Sequence, residues 1–364
     1  MKEKGPLTAI GMMSGTSLDG VDAALIETDG IAIQQLGPTA YRAYTDVERA
    51  VLRAGLGKWQ SAPEALEAAN VVEAAHEALL SEMPEADLVG FHGQTLAHDP
   101  KGLGTHQAGD GARLAHATGR AVLWDMRSAD VAAGGQGAPL APAYHFAIAQ
   151  HAGLQAPVGF LNLGGVGNLT WLDPRASDAF APGAMLAFDT GPANAPLDDL
   201  MQTRLGVSRD ENGALAKTGT PQEEVLAEYK ALHYFKEQPP KSLDRDDFAM
   251  LAEAVAALSD ADAAATLVAA MVHGVKRGFE WCPSQPETLF VTGGGRRNPA
   301  IMSALAGEFD CAVAPVEACG FDGDMIEAQA FGYLAVRAVR GLPITGPRTT
   351  GIAEPLSGGI LSYP

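Results

Sequence analysis

Two hairpins with glycine-rich turns, at 8–28 and 157–173, constrain this chain more than any other feature. In the first, an apolar run enters I-G-M-M-S-G-T-S-L-D-G-V-D (10–22) and A-A-L-I-E-T leaves it. In the second, V-G-F-L-N-L (158–163) runs into G-G-V-G-N and then L-T-W-L. Apolar runs flanking a polar, glycine-rich turn read as strand, turn, strand. Each hairpin opens one half of a 364-residue chain. Two halves that begin alike predict a duplicated fold with a cleft between them.

The intervening pattern alternates helices with short buried strands. A helix is expected over 61–83, with Ser61 as its cap and Pro63 in its first turn. Further helices are expected over 109–118, over 247–281 with a break where Ser259 caps a second segment, over 299–307 and over 324–340. L-V-G-F-H (88–92), A-V-L-W-D (121–125) and T-L-F-V-T (288–292) read as strands. The class is α/β, with glycine-rich turns at strand ends.

Hydrophobic residues make up 47% of the chain and charged ones 19%, which suits a globular protein. No apolar run approaches a bilayer's thickness, and M-K-E-K-G-P-L is not a leader sequence, so a cytoplasmic protein is expected. The cysteines Cys282, Cys311 and Cys319 have no metal-ligand spacing and read as buried thiols. A net charge of −19 disfavours nucleic acid and anionic membranes as partners. It equally disfavours any anionic ligand, so a phosphate site must supply local donors.

The first turn supplies them. Backbone N–H groups and the hydroxyls of Ser14, Thr16 and Ser17 converge there, and Gly15 and Gly20 admit a ligand close to the backbone. Asp19 and Asp22 stand beside it, where a divalent ion could bridge protein and phosphate. N-L-G-G-V-G-N (162–168) is a second turn of phosphate type. A strand follows it rather than a helix, so it is not a dinucleotide fingerprint. A-F-D-T-G-P-A-N (187–194) puts Asp189 just after a strand end, as a candidate general base. T-G-G-G-R-R-N-P (292–299) ends a strand in three glycines, a flat surface for adenosine. D-G-D-M-I-E-A (322–328) adds Glu327 in the first turn of a helix. Paired phosphate hairpins, an Asp after the second and a G-G-G turn resemble the layout of the sugar kinase, Hsp70 and actin class. Phosphoryl transfer needs positioning, charge neutralisation and a base, and each has candidates here.

The set M-S-G-T-S-L-D-G-V-D, F-H-G-Q-T, G-G-Q-G-A-P-L-A-P, N-L-G-G-V-G-N-L-T, F-D-T-G-P-A-N and G-G-G-R-R-N-P, in this order across nearly the whole chain, resembles the anhydro-N-acetylmuramic acid kinase family. The resemblance implies two ribonuclease-H-like domains of the actin and sugar-kinase type flanking an ATP cleft. Their expected extents are 1–128 with about 345–364, and 129–344. It implies that water attacks C1 of 1,6-anhydro-N-acetylmuramic acid while O6 takes the γ-phosphoryl group of ATP, with Mg²⁺, in cell-wall recycling. It further implies a homodimer.

Carried onto this chain, Gly15, Thr16, Ser17, Leu18, Asp19, Gly20, Val21 and Asp22 hold the ATP phosphates. Gly164, Gly165, Gly167 and Asn168 form the second phosphate turn, and Gly293, Gly294, Gly295 and Asn298 the adenosine turn. Asp189 activates the water and Glu327 helps place it. His92, Gln94, Arg127, Asn194 and Arg245 are the candidates on the sugar side, with Arg127 and Arg245 offered to the lactyl carboxylate on charge grounds. The family's G-P-G-N is G-P-A-N here; if that glycine needs positive φ, Ala193 displaces Asn194. His106 in T-H-Q-A-G-D and Leu243–Asp244 in P-K-S-L-D-R also depart from the family pattern, on the expected sugar side. The competing readings are an ordinary sugar or carboxylate kinase of this fold and an ATP-driven clamp like Hsp70 or actin.

Overall fold

The computed structural model describes residues 5–243 and 245–364; Asp244, one of the departures noted above, lies outside the described residues. The chain divides into two compact units, Met1–Gly153 with Met325–Pro364, and Leu154–Asp324.

In the first unit, β1 (Leu7–Ser14), β2 (Gly20–Thr28) and β3 (Ile33–Ala43) form an antiparallel meander. The helices α1 (Asp46–Gly55) and α2 (Pro63–Leu80) precede β4 (Leu88–Asp99), which pairs parallel to β1. Then come β5 (Gly104–Ala108), α3 (Gly111–Thr118), β6 (Val122–Trp124), α4 (Ser128–Ala132) and α5 (Pro142–His151). β5 lies antiparallel to β4, and β6 lies parallel to it. One face of the sheet (Ile10, Met12, Val89, Phe91) buries the apolar stripes of α2 and α3 (Ala68, Val72, Leu79, Leu114).

The second unit repeats this plan. β7 (Val158–Leu163), β8 (Val166–Leu172) and β9 (Met185–Pro192) form its meander. α6 (Asn194–Leu205), α7 (Ala227–Lys230), α8 (Met250–Ala254) and α9 (Asp260–Phe279) follow. β10 (Thr288–Thr292) pairs parallel to β7, then come α10 (Pro299–Glu308) and β11 (Ala312–Pro315), parallel to β10. The strand orders β3-β2-β1-β4-β6 and β9-β8-β7-β10-β11 are the same, with the second strand antiparallel in both. This is the ribonuclease-H-like order, and the duplication expected from the paired hairpins is present.

The chain then returns to the first unit as α11 (Ile326–Val339) and β12 (Ile360–Ser362). α11 lies on the face of the first sheet opposite α2, over β1, β2 and β4. It comes so close that a Cβ on Gly11 would stand 1.8 Å from the Ala328 carbonyl oxygen, and one on Gly90 2.1 Å from that of Phe331. This packing places α11 with the first unit, so the second unit ends at Asp324 rather than at 344; α5, which packs on β3 and α11, places the earlier limit at Gly153 rather than at 128.

Two local expectations need correcting. Ser61 does not cap α2: the cap position is Ala62, which makes no side-chain bond, and Pro63 starts the helix without an N–H to satisfy. Asp189 lies inside β9 rather than after a strand end, because β8 continues to pair as far as Val166 opposite Pro192. The Ser259 cap agrees with the sequence, and Asp110 is a further one. Ser259 accepts from the Asp262 N–H, and Asp110 from those of Ala112 and Arg113, each cap contributing about 1 kcal/mol. Among the described residues no helix is long and apolar enough to cross a membrane.

Candidate active site

In the first unit the β1–β2 turn is closed by the Leu18 N–H donating to the Gly15 carbonyl, with Leu18 at φ 57 and its side chain buried. Thr16 and Ser17 face solvent. Asp19 accepts from the Ser17 hydroxyl at 2.8 Å and from the Gly20 N–H at 3.0 Å. The end of β4 buttresses the turn. The Gln94 amide donates to the Gly15 carbonyl at 3.1 Å, and the Ser14 hydroxyl to that of Gly93. A side chain at Gly15 would meet only the Ser17 hydroxyl, at 3.6 Å, so the backbone there is open. Gly20 is different: its missing side chain makes room for the Arg42 carbonyl and the Tyr41 ring of β3. Val21 is fully buried in β2, and Asp22 pairs opposite Met13.

Next to this turn, His92 is buried and stacks on Phe331 at 4.5 Å. Its Nδ1 meets the Gly93 carbonyl at 2.8 Å, which assigns the proton there and leaves Nε2 to accept from the Arg127 Nε and Nη2 at 3.1 and 2.9 Å. Burial, with the Arg127 charge, holds the imidazole neutral, well below its usual pKa. Arg127 also donates to the Gly137 carbonyl at 2.8 Å. Burial lowers its pKa to about 10, against the pull of Glu327 and Asp130. Glu327 sits in the first turn of α11 with its side chain exposed. Its carboxyl is open to water, with the charges of Asp19 and Arg127 acting on it in opposite senses.

In the second unit the β7–β8 turn leaves Gly164 and Gly165 open: the nearest atoms to an added Cβ lie at 3.9 and 3.6 Å. Gly167 is closed off by the Thr190 hydroxyl at 2.6 Å. The turn's carbonyls are satisfied by the chain entering α6, through the N–H groups of Ala193 and Asn194. The Asn194 amide donates to the Leu163 carbonyl. Ala193 takes φ −120, so this position does not require the positive-φ glycine.

Asp189 is the most tightly constrained of these candidates. Its Oδ1 accepts from the Asn168 amide at 2.8 Å and its Oδ2 from the Leu243 N–H at 2.9 Å. Its own N–H donates to the Lys241 carbonyl, and its carbonyl accepts from the Tyr234 hydroxyl. Burial raises its pKa to about 6, with both donors opposing. Asn168 thus reaches the carboxylate rather than standing free in the turn.

The G-G-G turn is less open than its composition suggests. Gly293, at φ 71, would clash with Asn162 and the Leu163 carbonyl, and Gly295 with the Leu163 side chain. Only Gly294 is exposed, with the Asn194 amide 3.5 Å from an added Cβ. Asn298 caps α10, accepting from Ala300 and Ile301, and its amide points to the Asp210 carbonyl. Arg296, 8% exposed, ties the turn down through Glu317, Asp324 and the Gly293 carbonyl.

A sequence profile described as anhydro-N-acetylmuramic acid kinase matches residues 7–364. The chain belongs to this family. It is 61% identical to an anhydro-N-acetylmuramic acid kinase of Cereibacter sphaeroides, over all of this chain and 98% of the relative. It is 54% identical to one of Ruegeria, over all of this chain and 97% of that protein. Among solved structures, the activator of the 2-hydroxyisocaproyl-CoA dehydratase from Clostridium difficile with bound ADPNP aligns over 90% of this chain and 94% of its own, at a TM-score of 0.46 and 11% identity. That likeness is too remote to carry an argument.

For an anhydro-N-acetylmuramic acid kinase the remaining sugar-side candidates divide. Arg127 and Glu327 lie in the first unit and interact; Arg245, in the second, is exposed and pairs with Asp199. His106 is buried with Nδ1 on the Lys58 carbonyl, a structural contact. The sequence reading missed Tyr234, Lys241 and Leu243 as neighbours of Asp189. They reach it through main-chain groups and one hydroxyl, for which no local motif exists. Among the described residues no cluster of three or more His, Cys, Asp or Glu could hold a metal ion. Asp19 and Asp22 instead offer hard carboxylate oxygens beside a phosphate-type turn, a donor set that suits Mg²⁺ shared with substrate phosphates.

Proposed function

We propose that this chain opens 1,6-anhydro-N-acetylmuramic acid with water and phosphorylates O6, giving N-acetylmuramic acid 6-phosphate and ADP. The observation that carries the chemistry is the Asp189 carboxylate, held between two donors with its pKa raised to about 6, in a chain of this family. Asp189 takes a proton from water as the water oxygen bonds to C1. The C1–O6 bond breaks, and O6 bonds to the γ-phosphorus as the bond to ADP breaks. Opening an anhydro ring resembles inverting glycoside hydrolysis, which needs a carboxylate on the water's face. O6 is captured by phosphorus, so no second protonated acid is required.

The open backbone at Gly15 in the first unit suits close approach by phosphate, as does that at Gly164, Gly165 and Gly294 in the second. Asp19 and Asp22 would hold Mg²⁺, which supplies charge neutralisation on the phosphates. Arg127, kept charged beside Glu327 and fixed by His92, suits the lactyl carboxylate. The enzyme works as a cytoplasmic homodimer in the recycling of cell-wall amino sugar.

Two measurements test this. With ATP, Mg²⁺ and the anhydro sugar in ¹⁸O-labelled water, the product carries one label, at C1, and its mass is substrate plus phosphate plus water. A product lacking the water, as an ordinary sugar kinase would give, defeats the proposal. A base must be deprotonated to act, so kcat/KM rises with pH through about 6, where Asp189 titrates. A flat profile across that region would remove Asp189 from the role.

A further inference from the structure

Tyr234–Leu243 supplies three of the four groups that fix Asp189: the Tyr234 hydroxyl, the Lys241 carbonyl and the Leu243 N–H. The fourth, the Asn168 amide, comes from β8, the strand paired with β9. The segment is largely irregular, with one 3₁₀ turn at its start, so no ladder of backbone hydrogen bonds sets the distance between Tyr234 and Leu243. One side chain that ties its ends together is that of Lys241. The Lys241 ammonium donates to the Tyr234 carbonyl at 2.7 Å and stands 4.2 Å from the centre of the Tyr234 ring, with Trp281 at 6.0 Å. Lys241 is only 9% exposed. An ammonium placed there gives up hydration, and burial pulls its pKa down to about 8. An apolar side chain would fill the same space without that cost; what the ammonium adds is a fixed donor and a cation over an aromatic face.

We propose that Lys241 is a positioning residue for Asp189: by locking Tyr234 to the segment's far end, it holds the Leu243 N–H on the carboxylate. This rests on the reading of Asp189 as the base. A hydrogen bond to the charged form of a carboxylate lowers its pKa, and the Leu243 N–H does this to Asp189. Slackening the segment therefore weakens that bond and raises the pKa of Asp189 further. The charged and titratable groups around the brace are Glu237 and Arg277 beside Lys241, and Asp247, Glu237 and Tyr229 beside Tyr234. The groups acting on Asp189 itself are Asn168 and Leu243, both neutral, so its titration reports the segment's position.

The test is the pH profile of kcat/KM for Lys241→Met in the full-length protein, with ATP, Mg²⁺ and the anhydro sugar. The acid limb is expected to move up by about one pH unit, the size of one weakened hydrogen bond to a charged group. At pH 7 kcat falls about tenfold, with KM for ATP unchanged, because a displaced base costs rate rather than nucleotide binding. A limb that stays in place overturns the proposal, whether or not kcat falls, since a purely structural lysine would lower stability and leave that limb alone. Should Lys241→Met not fold, Lys241→Gln keeps a polar side chain there and removes the ammonium from the Tyr234 ring. The limb should move the same way, and a wild-type profile overturns the proposal. Asp189→Asn runs alongside: if it turns over normally, the base assignment fails instead.

Discussion

Asp189→Asn is expected to lower kcat by about 10²–10⁴-fold while leaving KM for ATP near the wild-type value. The side chains match in size, so the pocket stays filled. The hydrogen bonding does not survive. Both carboxylate oxygens of Asp189 accept, one from the Asn168 amide and one from the Leu243 N–H. An asparagine has one acceptor and one donor end, so its NH₂ must face a donor, whichever way it is turned. It cannot accept a proton from water at any working pH. The first-unit turn proposed to hold the ATP phosphates, with Thr16, Ser17 and Asp19, is untouched, so nucleotide affinity is expected to stay. Steady-state kinetics with both substrates, alongside thermal unfolding to confirm the fold, makes the measurement. Turnover within a few-fold of wild type would end the case for Asp189 as the base.

Gly11→Ala is expected to destabilise the first unit by about 3 kcal/mol or more, at the upper end of what overpacking costs. The new methyl would stand 1.8 Å from the Ala328 carbonyl oxygen and 2.2 Å from the Gly332 nitrogen. Both are backbone atoms of α11, and a helix backbone cannot swing aside as a side chain can. α11 must lift off the sheet, taking Ala328 away from its contact with Ala24. Glu327, one residue before that contact, moves with it, so activity falls with stability. Gly307→Ala is the control of opposite sign. It sits exposed in α10 with nothing within 4 Å of an added Cβ, and alanine there should stabilise by about 0.5–1 kcal/mol. Denaturant unfolding of the pair decides it; a wild-type midpoint for Gly11→Ala would mean that α11 packs less closely than described.

These two positions show what was legible in the chain. Asp189 stood out because an acid in a glycine-proline context, soon after the second phosphate-type turn, is a chemical pattern, readable one segment at a time. Gly11 did not, because nothing in L-T-A-I-G-M-M-S says that a helix more than three hundred residues later will rest on it. The same limit explains the glycine turns. Gly15, Gly164 and Gly294 leave open backbone, as a ligand would need. Gly20, Gly167, Gly293 and Gly295 are filled by a neighbouring strand, a threonine hydroxyl or the end of β7. In sequence the two kinds are identical, since both simply require that no side chain be present. Asn298 has the same ambiguity: an asparagine ahead of a proline-led helix can meet a ligand or cap the helix, and here it caps.

The sequence by itself determined the repeated hairpins, the helix starts at Asp110, Ser259 and Asn298–Pro299, and the family to which the chain belongs. These are set by interactions within a few residues: apolar alternation, side-chain caps and turn chemistry. Only the tertiary structure decided which glycines face open space, that Arg127 is gripped by His92, and that Leu243 and Tyr234 reach Asp189 from a segment bound together by Lys241. Those contacts join residues 35 to 54 positions apart, and the two to Asp189 each use a main-chain carbonyl or N–H at one end. The chain folding back on itself selects among them, and no side-chain pattern marks the choice in advance.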